Sequence, residues 1–362
     1  MQKEKHIIGL DSMRGLAILM VCLYHMFESF FRGYPAFDTN GVLQFPPVYP
    51  ETAKYFFSFN LRLSIHLFFV VSGYIIHALY SSKTFDIQAT KTFVLKRYFR
   101  MAPAYYVSMV VAIIGAILFG RFVSDYKDIL AHVLFIHNFF DQYSYSIQSL
   151  YWTMGIEFQF YLLYALLRFV LKDKFNITYI FIASLLLSFG LRLFYYEPAL
   201  AEELRWQFMD NTLIRFSDWV MGALLYEHRK IIFQIPYKIV LFIALILIAS
   251  YMDNFGLASS VFLDATAALG MMLLVAHVLQ YKIEPKSLKF VGVMSYSFYL
   301  YHFISYSVFD VLCSKLFGYE REPSWERLCV FVIGFCITLG VGYIMYKVIE
   351  ELAVKYFKKK LK

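Results

Sequence analysis

Apolar runs close to twenty residues long recur along this chain from its first segment to its last, and a run of that length matches the thickness of a bilayer. A soluble fold would break such runs with polar positions to keep a wet surface. Here 60% of the 362 residues are hydrophobic, 20% are aromatic and only 17% are charged, with 39 Phe and 30 Tyr. That is the profile of an integral membrane protein. The runs fall at about 12–31, 62–80, 103–120, 153–171, 177–196, 211–227, 236–252, 260–280, 288–310 and 328–349. The expected fold is an all-α, polytopic membrane helix bundle of about ten transmembrane helices, one domain over 1–362 with no appended soluble catalytic domain.

Charge placement selects an orientation. With both termini cytoplasmic, every inner connection is locally basic, so the positive-inside rule meets no conflicting loop. The net charge of +8 is therefore explained by lipid, and with no basic recognition helix or repeat, no nucleic-acid partner is expected. Cys22, Cys313, Cys329 and Cys336 form no CxxC pair; they read as small buried hydrophobes, and no metal is expected. The N-terminus has no small-residue cleavage site after its apolar core, so the first helix is expected to be retained. Two outer connections, 32–61 and 121–152, are long enough to suggest a functional role. Within the second, the twelve apolar residues at 129–140 are too few to cross and could be re-entrant or interfacial.

Three polar constellations interrupt the apolar runs. In "SMRGLAILMVCLYHM", Arg14 and His25 are separated by ten residues. Eleven helical steps return to within about 20° of the starting direction and rise roughly 16 Å, so both lie on one stripe. An arginine near a span end can snorkel, whereas an imidazole at depth either bonds a neighbouring helix or acts as a general base near neutral pH. A base so placed needs its substrates delivered through an enclosed channel. In "LKRYFRMAPAYY", Arg97 and Arg100 form an RxxR closed by Pro103. That spacing places two guanidinia on one helix face, as positive-inside anchors or as a fork for phosphate oxygens such as those of a coenzyme A thioester. In "LYWTMGIEFQFYLLY", interfacial anchoring accounts for Trp152, but Glu157 has apolar neighbours on both sides and needs a cavity or a partner. It could orient His25 or bind the hydroxyls of an acceptor.

At these motifs the sequence resembles the acyltransferase 3 family of bacterial membrane O-acyltransferases. The resemblance rests on the Arg-x10-His of the first span, the RxxR, and the Trp-x4-Glu followed by Phe160 and Tyr161. It extends to "SIHLFFVVSGYIIH" at 64–77 and "SYSFYLYH" at 295–302, and runs from Leu10 to about Glu351. It implies O-acyl transfer, commonly of acetyl, from cytoplasmic acyl-CoA as co-substrate to a hydroxyl of a cell-envelope or extracellular polysaccharide or glycolipid, by an inner-membrane enzyme. It further implies His25 as catalytic base and Arg14, Arg97 and Arg100 as holders of the CoA phosphates. Glu157 would serve the acceptor side with Trp152, and Ser72 and Gly73 would shape the channel wall. His302 is a candidate substrate contact or a satisfied packing histidine.

Two positions depart from the family pattern. His66 stands where an acid often precedes the FF pair, and "VIEELA" keeps Glu350 but has Glu351 and Leu352 where a basic residue and proline often follow. Arg192, Arg215, Asp218 and Asp264 also lie within spans and are expected to form interhelix ion pairs or water contacts, with Asp218 or Arg215 as alternative cavity-lining groups. The competing function is a membrane transporter or exporter of a surface glycan, which ten spans with buried charges also suit, although no inverted repeat is visible.

Overall fold

The computed structural model describes residues 7–32, 36–37, 43–44, 63–118, 125–140, 142–194, 211–252, 257–318 and 324–360. Their order is α1 (Leu10–Arg32), β1 (Ala36–Phe37), β2 (Leu43–Gln44), α2 (Ser64–Tyr80), α3 (Ile87–Leu118), α4 (Tyr126–Val133), α5 (Trp152–Leu171) and α6 (Ile177–Phe194). There follow α7 (Thr212–Glu227), α8 (Arg229–Ile232), α9 (Lys238–Met252), α10 (Leu257–Tyr281), α11 (Lys286–Val293), α12 (Ser295–Phe317), α13 (Trp325–Met345) and α14 (Glu351–Lys360). The two strands pair antiparallel, Ala36 with Gln44 and Phe37 with Leu43, a small exception among described residues that are otherwise mostly helical. The rest of the 32–61 connection lies outside the described residues.

Among the described residues, six segments are long and apolar enough to cross a bilayer: those of α1, α3, α5, α6, α10 and α13, while α2 and α9 are apolar but shorter. The apolar runs of the sequence predict ten. The difference falls partly on α7, sixteen residues that include Arg215 and Asp218, and on α12, whose tyrosines, serines, His302 and Asp310 dilute its hydrophobicity. Two boundaries also change. The span expected at 103–120 is the second half of α3, which begins at Ile87 and runs through Pro103. The run expected at 288–310 is broken at Met294 into α11 and α12. Cys22 and Cys313 are buried as expected, but Cys329 and Cys336 lie on the exposed face of α13.

The chain packs as two compact units. One comprises residues 1–10, 66–283 and 349–362; the other comprises 11–65 and 284–348. In the first, α5 packs on α3 and α7, α6 packs on α7, and α9 packs on α10. The amphipathic α14 lies against α3, with Phe99 and Phe357 stacked at 4.0 Å between ring centres. Helices α2 and α7 touch backbone to backbone. A methyl group on Gly73 would lie 1.8 Å from the Trp219 carbonyl oxygen, and one on Gly222 would lie 1.9 Å from that of Val70. Small residues permit this approach, which sets Ser72 beside Trp219. Gly222→Val is expected to destabilise the protein by about 3 kcal/mol or more, because the obstacle is backbone and cannot rotate away. An unchanged thermal unfolding midpoint in detergent would contradict this packing. In the second unit, α1 and α11 make a similar contact: a methyl on Gly15 would lie 2.0 Å from the Leu288 oxygen, and one on Gly292 1.7 Å from that of Asp11.

Candidate active site

In the first unit, the Gly73–Gly222 contact and the packing of α5 on α7 bring together three helices that carry polar side chains. Ser72 Oγ donates to Glu157 Oε1 at 3.2 Å and accepts from Trp219 Nε1 at 3.3 Å. The Tyr161 hydroxyl, one turn beyond Glu157 on α5, donates to the same carboxylate oxygen and lies 3.3 Å from Ser72 Oγ. All four side chains are buried. A carboxylate held by two hydroxyls is satisfied inside the bundle, and it can also exchange one of those partners for a hydroxyl brought by a ligand.

Beyond Tyr161 lies Arg97, its guanidinium carbon 6.0 Å from the centre of the Tyr161 ring. Arg97 is buried; Nη2 donates to the Tyr80 hydroxyl at 3.3 Å, and Nε has no hydrogen-bond partner. No carboxylate pairs with it among the described residues. Arg100, in contrast, is exposed. A spacing of three leaves about 60° between side chains, and α3 continues through Pro103, so the expected two-guanidinium fork is one buried cation and one exposed cation. Trp152 is half-buried at the first position of α5, five residues before Glu157.

Residues 125–151 fasten onto the start of α5. Asp125 caps α4 by accepting from the Asp128 amide. The short 3-10 turn His137–Phe139 follows, and the His132 and His137 rings stack at 3.9 Å between centres. His132 Nδ1 lies 3.0 Å from the Asp128 carboxylate, which also accepts from Ser146 at 2.8 Å. His137 Nε2 donates to the Tyr151 carbonyl at 2.9 Å. Gln159 then ties this segment to α5, donating to Asn138 Oδ1 at 2.7 Å and to the Phe135 carbonyl at 2.6 Å. The eight residues of α4 are too few to cross a membrane. The histidine pair was not singled out in the sequence, although Asp128 and His132 at helical i,i+4 spacing were there to be read.

Burial pushes the His137 imidazole down to about 3, with the neighbouring His132 acting in the same direction. A histidine that is buried neutral stabilises the fold fully above its unfolded value of 6.5, and that stability declines as the pH falls from there toward 3. Acidification from about pH 7 to about pH 5 is expected to cost about 2 kcal/mol through this group. Thermal midpoints of the wild type and His137→Asn at the two pH values check this. The variant should show the weaker dependence, and equal dependence contradicts the assignment.

Arg192, Arg215, Asp218 and Asp264 form one buried cluster with His66. Asp264 Oδ1 lies 2.8 Å from Arg215 Nη1 and 3.2 Å from His66 Nε2, while Oδ2 lies 2.5 Å from Arg192 Nη2. His66 Nδ1 faces Asp218 Oδ2 at 2.9 Å. His66 thus stands between two aspartates, Asp218 and Asp264.

The second unit carries the remaining candidates. Arg14 and His25 on α1 are half-buried beside the packed face of Met13, Ala17, Ile18, Cys22 and Met26. The His25 ring lies 5.7 Å from that of His302 on α12 and 5.7 Å from Phe303. His302 is buried; Nδ1 donates to the Tyr299 carbonyl at 2.8 Å, so Nε2 carries the lone pair, and it has no hydrogen-bond partner among the described residues. In the first unit, near Glu350, Glu351 pairs with Lys355 one turn along α14 at 2.9 Å.

Several apolar helices with ionisable groups inside them define a helical membrane protein with a polar interior. The acyltransferase domain of the acyltransferase 3 family matches residues 7–347, and the chain belongs to that family. Among curated proteins it is 25% identical over 381 residues to a Staphylococcus aureus (strain COL) protein named "Putative O-acetyltransferase", covering 96% of this chain and 57% of that protein. It is 23% identical over 388 residues to "O-acetyltransferase OatA" of Staphylococcus aureus (strain NCTC 8325), covering 97% of this chain and 57% of OatA. The chain thus spans little more than half the length of these relatives. No solved structure gives a significant match.

Proposed function

We propose that this chain is an O-acyltransferase of the cytoplasmic (inner) membrane that moves an acyl group, acetyl in the first instance, from acyl-CoA to a hydroxyl of a cell-envelope polysaccharide or glycolipid. Family membership and the names of its relatives favour acyl transfer. The observation that carries the reading is the buried guanidinium of Arg97, without a carboxylate partner among the described residues, one tyrosine away from the Ser72–Glu157–Tyr161 cluster. A buried cation without a carboxylate suits an anionic ligand, and a carboxylate among hydroxyls suits a polyol.

In this reaction His25 takes the proton of the acceptor hydroxyl, whose oxygen attacks the thioester carbonyl carbon. The C–S bond breaks, the new ester leaves on the acceptor, and the proton passes to the departing CoA thiolate. The cations assigned to donor phosphates are Arg14, on the same stripe as His25, and Arg97 with Arg100 on α3. Glu157, Ser72 and Trp152 are assigned to the acceptor, and His302, through its bare Nε2, to holding the reacting hydroxyl. No resident cofactor or metal takes part.

The test uses membranes carrying the full chain and acetyl-CoA labelled in its acetyl group. Label should enter envelope glycan as a base-labile ester. Glycan export that stops on deletion of the chain, with ester content of the remaining glycan unchanged, favours the exporter reading instead.

A further inference from the structure

In the first unit, the turn between α8 and α9 and the last turn of α10 enclose an open cleft of about 540 Å3. Its size is that of a small-molecule site. Lys238, His277, Gln280 and Tyr281 line it. Lys238 is only 5% exposed; its Nζ donates to the Phe233 carbonyl at 2.8 Å and to that of Ile235 at 2.6 Å. Those two bonds leave one ammonium hydrogen over, and among the described residues no carboxylate pairs with the charge. Gln280 Oε1 is likewise buried without a hydrogen-bond partner. A buried cation satisfied only by neutral carbonyls holds an unbalanced charge against the cleft wall.

The surroundings identify the kind of ligand. Arg229, Lys230 and Lys282 follow or precede the lining segments in sequence, so this end of the α9–α10 hairpin is basic. One side of α9 packs on α10, while Val240, Leu247 and Tyr251 are exposed at 62%, 61% and 66%. A basic cleft that opens onto an exposed apolar helix face complements an amphiphile with an anionic head and acyl chains. A free nucleotide or inorganic phosphate would leave the apolar face unused. We propose that this cleft binds the head group of an anionic glycerophospholipid, with Lys238 as its counter-ion and the α9 face against its chains. The inference rests on α9 and α10 lying in a bilayer and is independent of acyl transfer.

Native mass spectrometry of the full chain in neutral detergent tests it, with phosphatidylglycerol, phosphatidylcholine of identical chains, and inorganic phosphate as probes. The wild type should retain phosphatidylglycerol about tenfold better than phosphatidylcholine, the scale expected for one or two basic groups at a lipid head. Lys238→Gln should abolish that preference. Because Lys238 also ties down the 233–235 turn, His277→Trp, which fills the cleft and leaves those bonds intact, should abolish it too. Equal retention of the two lipids by the wild type, an undiminished preference in His277→Trp, or phosphate competing as well as the lipid overturns the proposal.

Discussion

His25→Ala is expected to lower acetyl transfer to envelope glycan by roughly a thousandfold, the scale for removing a positioned general base, while the protein still accumulates and unfolds at the wild-type temperature. The imidazole is half-buried on α1, at the edge of the packed face rather than within it, so its loss opens no large cavity. His302→Ala separates the roles within the pair. His302 is buried beside His25, with Nδ1 held by the Tyr299 carbonyl. Its removal should cost activity by about ten- to a hundredfold, because a positioning contact is lost while the base remains. The check is initial rates with labelled acetyl-CoA, normalised to folded protein. Full activity in His25→Ala would remove it from the mechanism.

The largest effect on stability is expected at Asp264. Its carboxylate faces Arg192, Arg215 and His66 at once, in a buried setting. Asp264→Ala removes the carboxylate that Arg192 and Arg215 share, while Asp218 stands 4.0 Å from Arg215. Breaking a buried ion pair from one side costs about 3–5 kcal/mol, since the remaining charge stays buried and unbalanced. Replacing Arg192 as well, in Asp264→Ala with Arg192→Met, should recover part of the loss by restoring the charge balance. Thermal unfolding in detergent measures both variants. An Asp264→Ala midpoint equal to that of the wild type would mean that the cluster is solvated and that its members are bound through water.

Much of the helical pattern was legible because the period and length of apolar runs are local properties. Helices α5 and α6 begin and end within two residues of the runs drawn for them. What failed locally was proline and composition. Pro103 does not end α3, and a break at Met294 with no glycine or proline of its own was invisible. The site was legible as residues and not as partners. Ser72 and Glu157 stand 85 positions apart on α2 and α5, and no local pattern shows that these two helices meet. The RxxR spacing suggested a shared face, whereas packing buries Arg97 and exposes Arg100. His66 was visible as a departure from the family pattern, but its aspartate partners come from α7 and α10, a tertiary fact.

Mass spectrometry of surface glycans from otherwise identical cells with and without this chain addresses the central claim most directly. The account predicts a base-labile, acyl-sized mass increment on a glycan hydroxyl that is present only with the chain and missing again in cells carrying His25→Ala. Identical glycan masses in all three, with the chain present in the membrane, would contradict it.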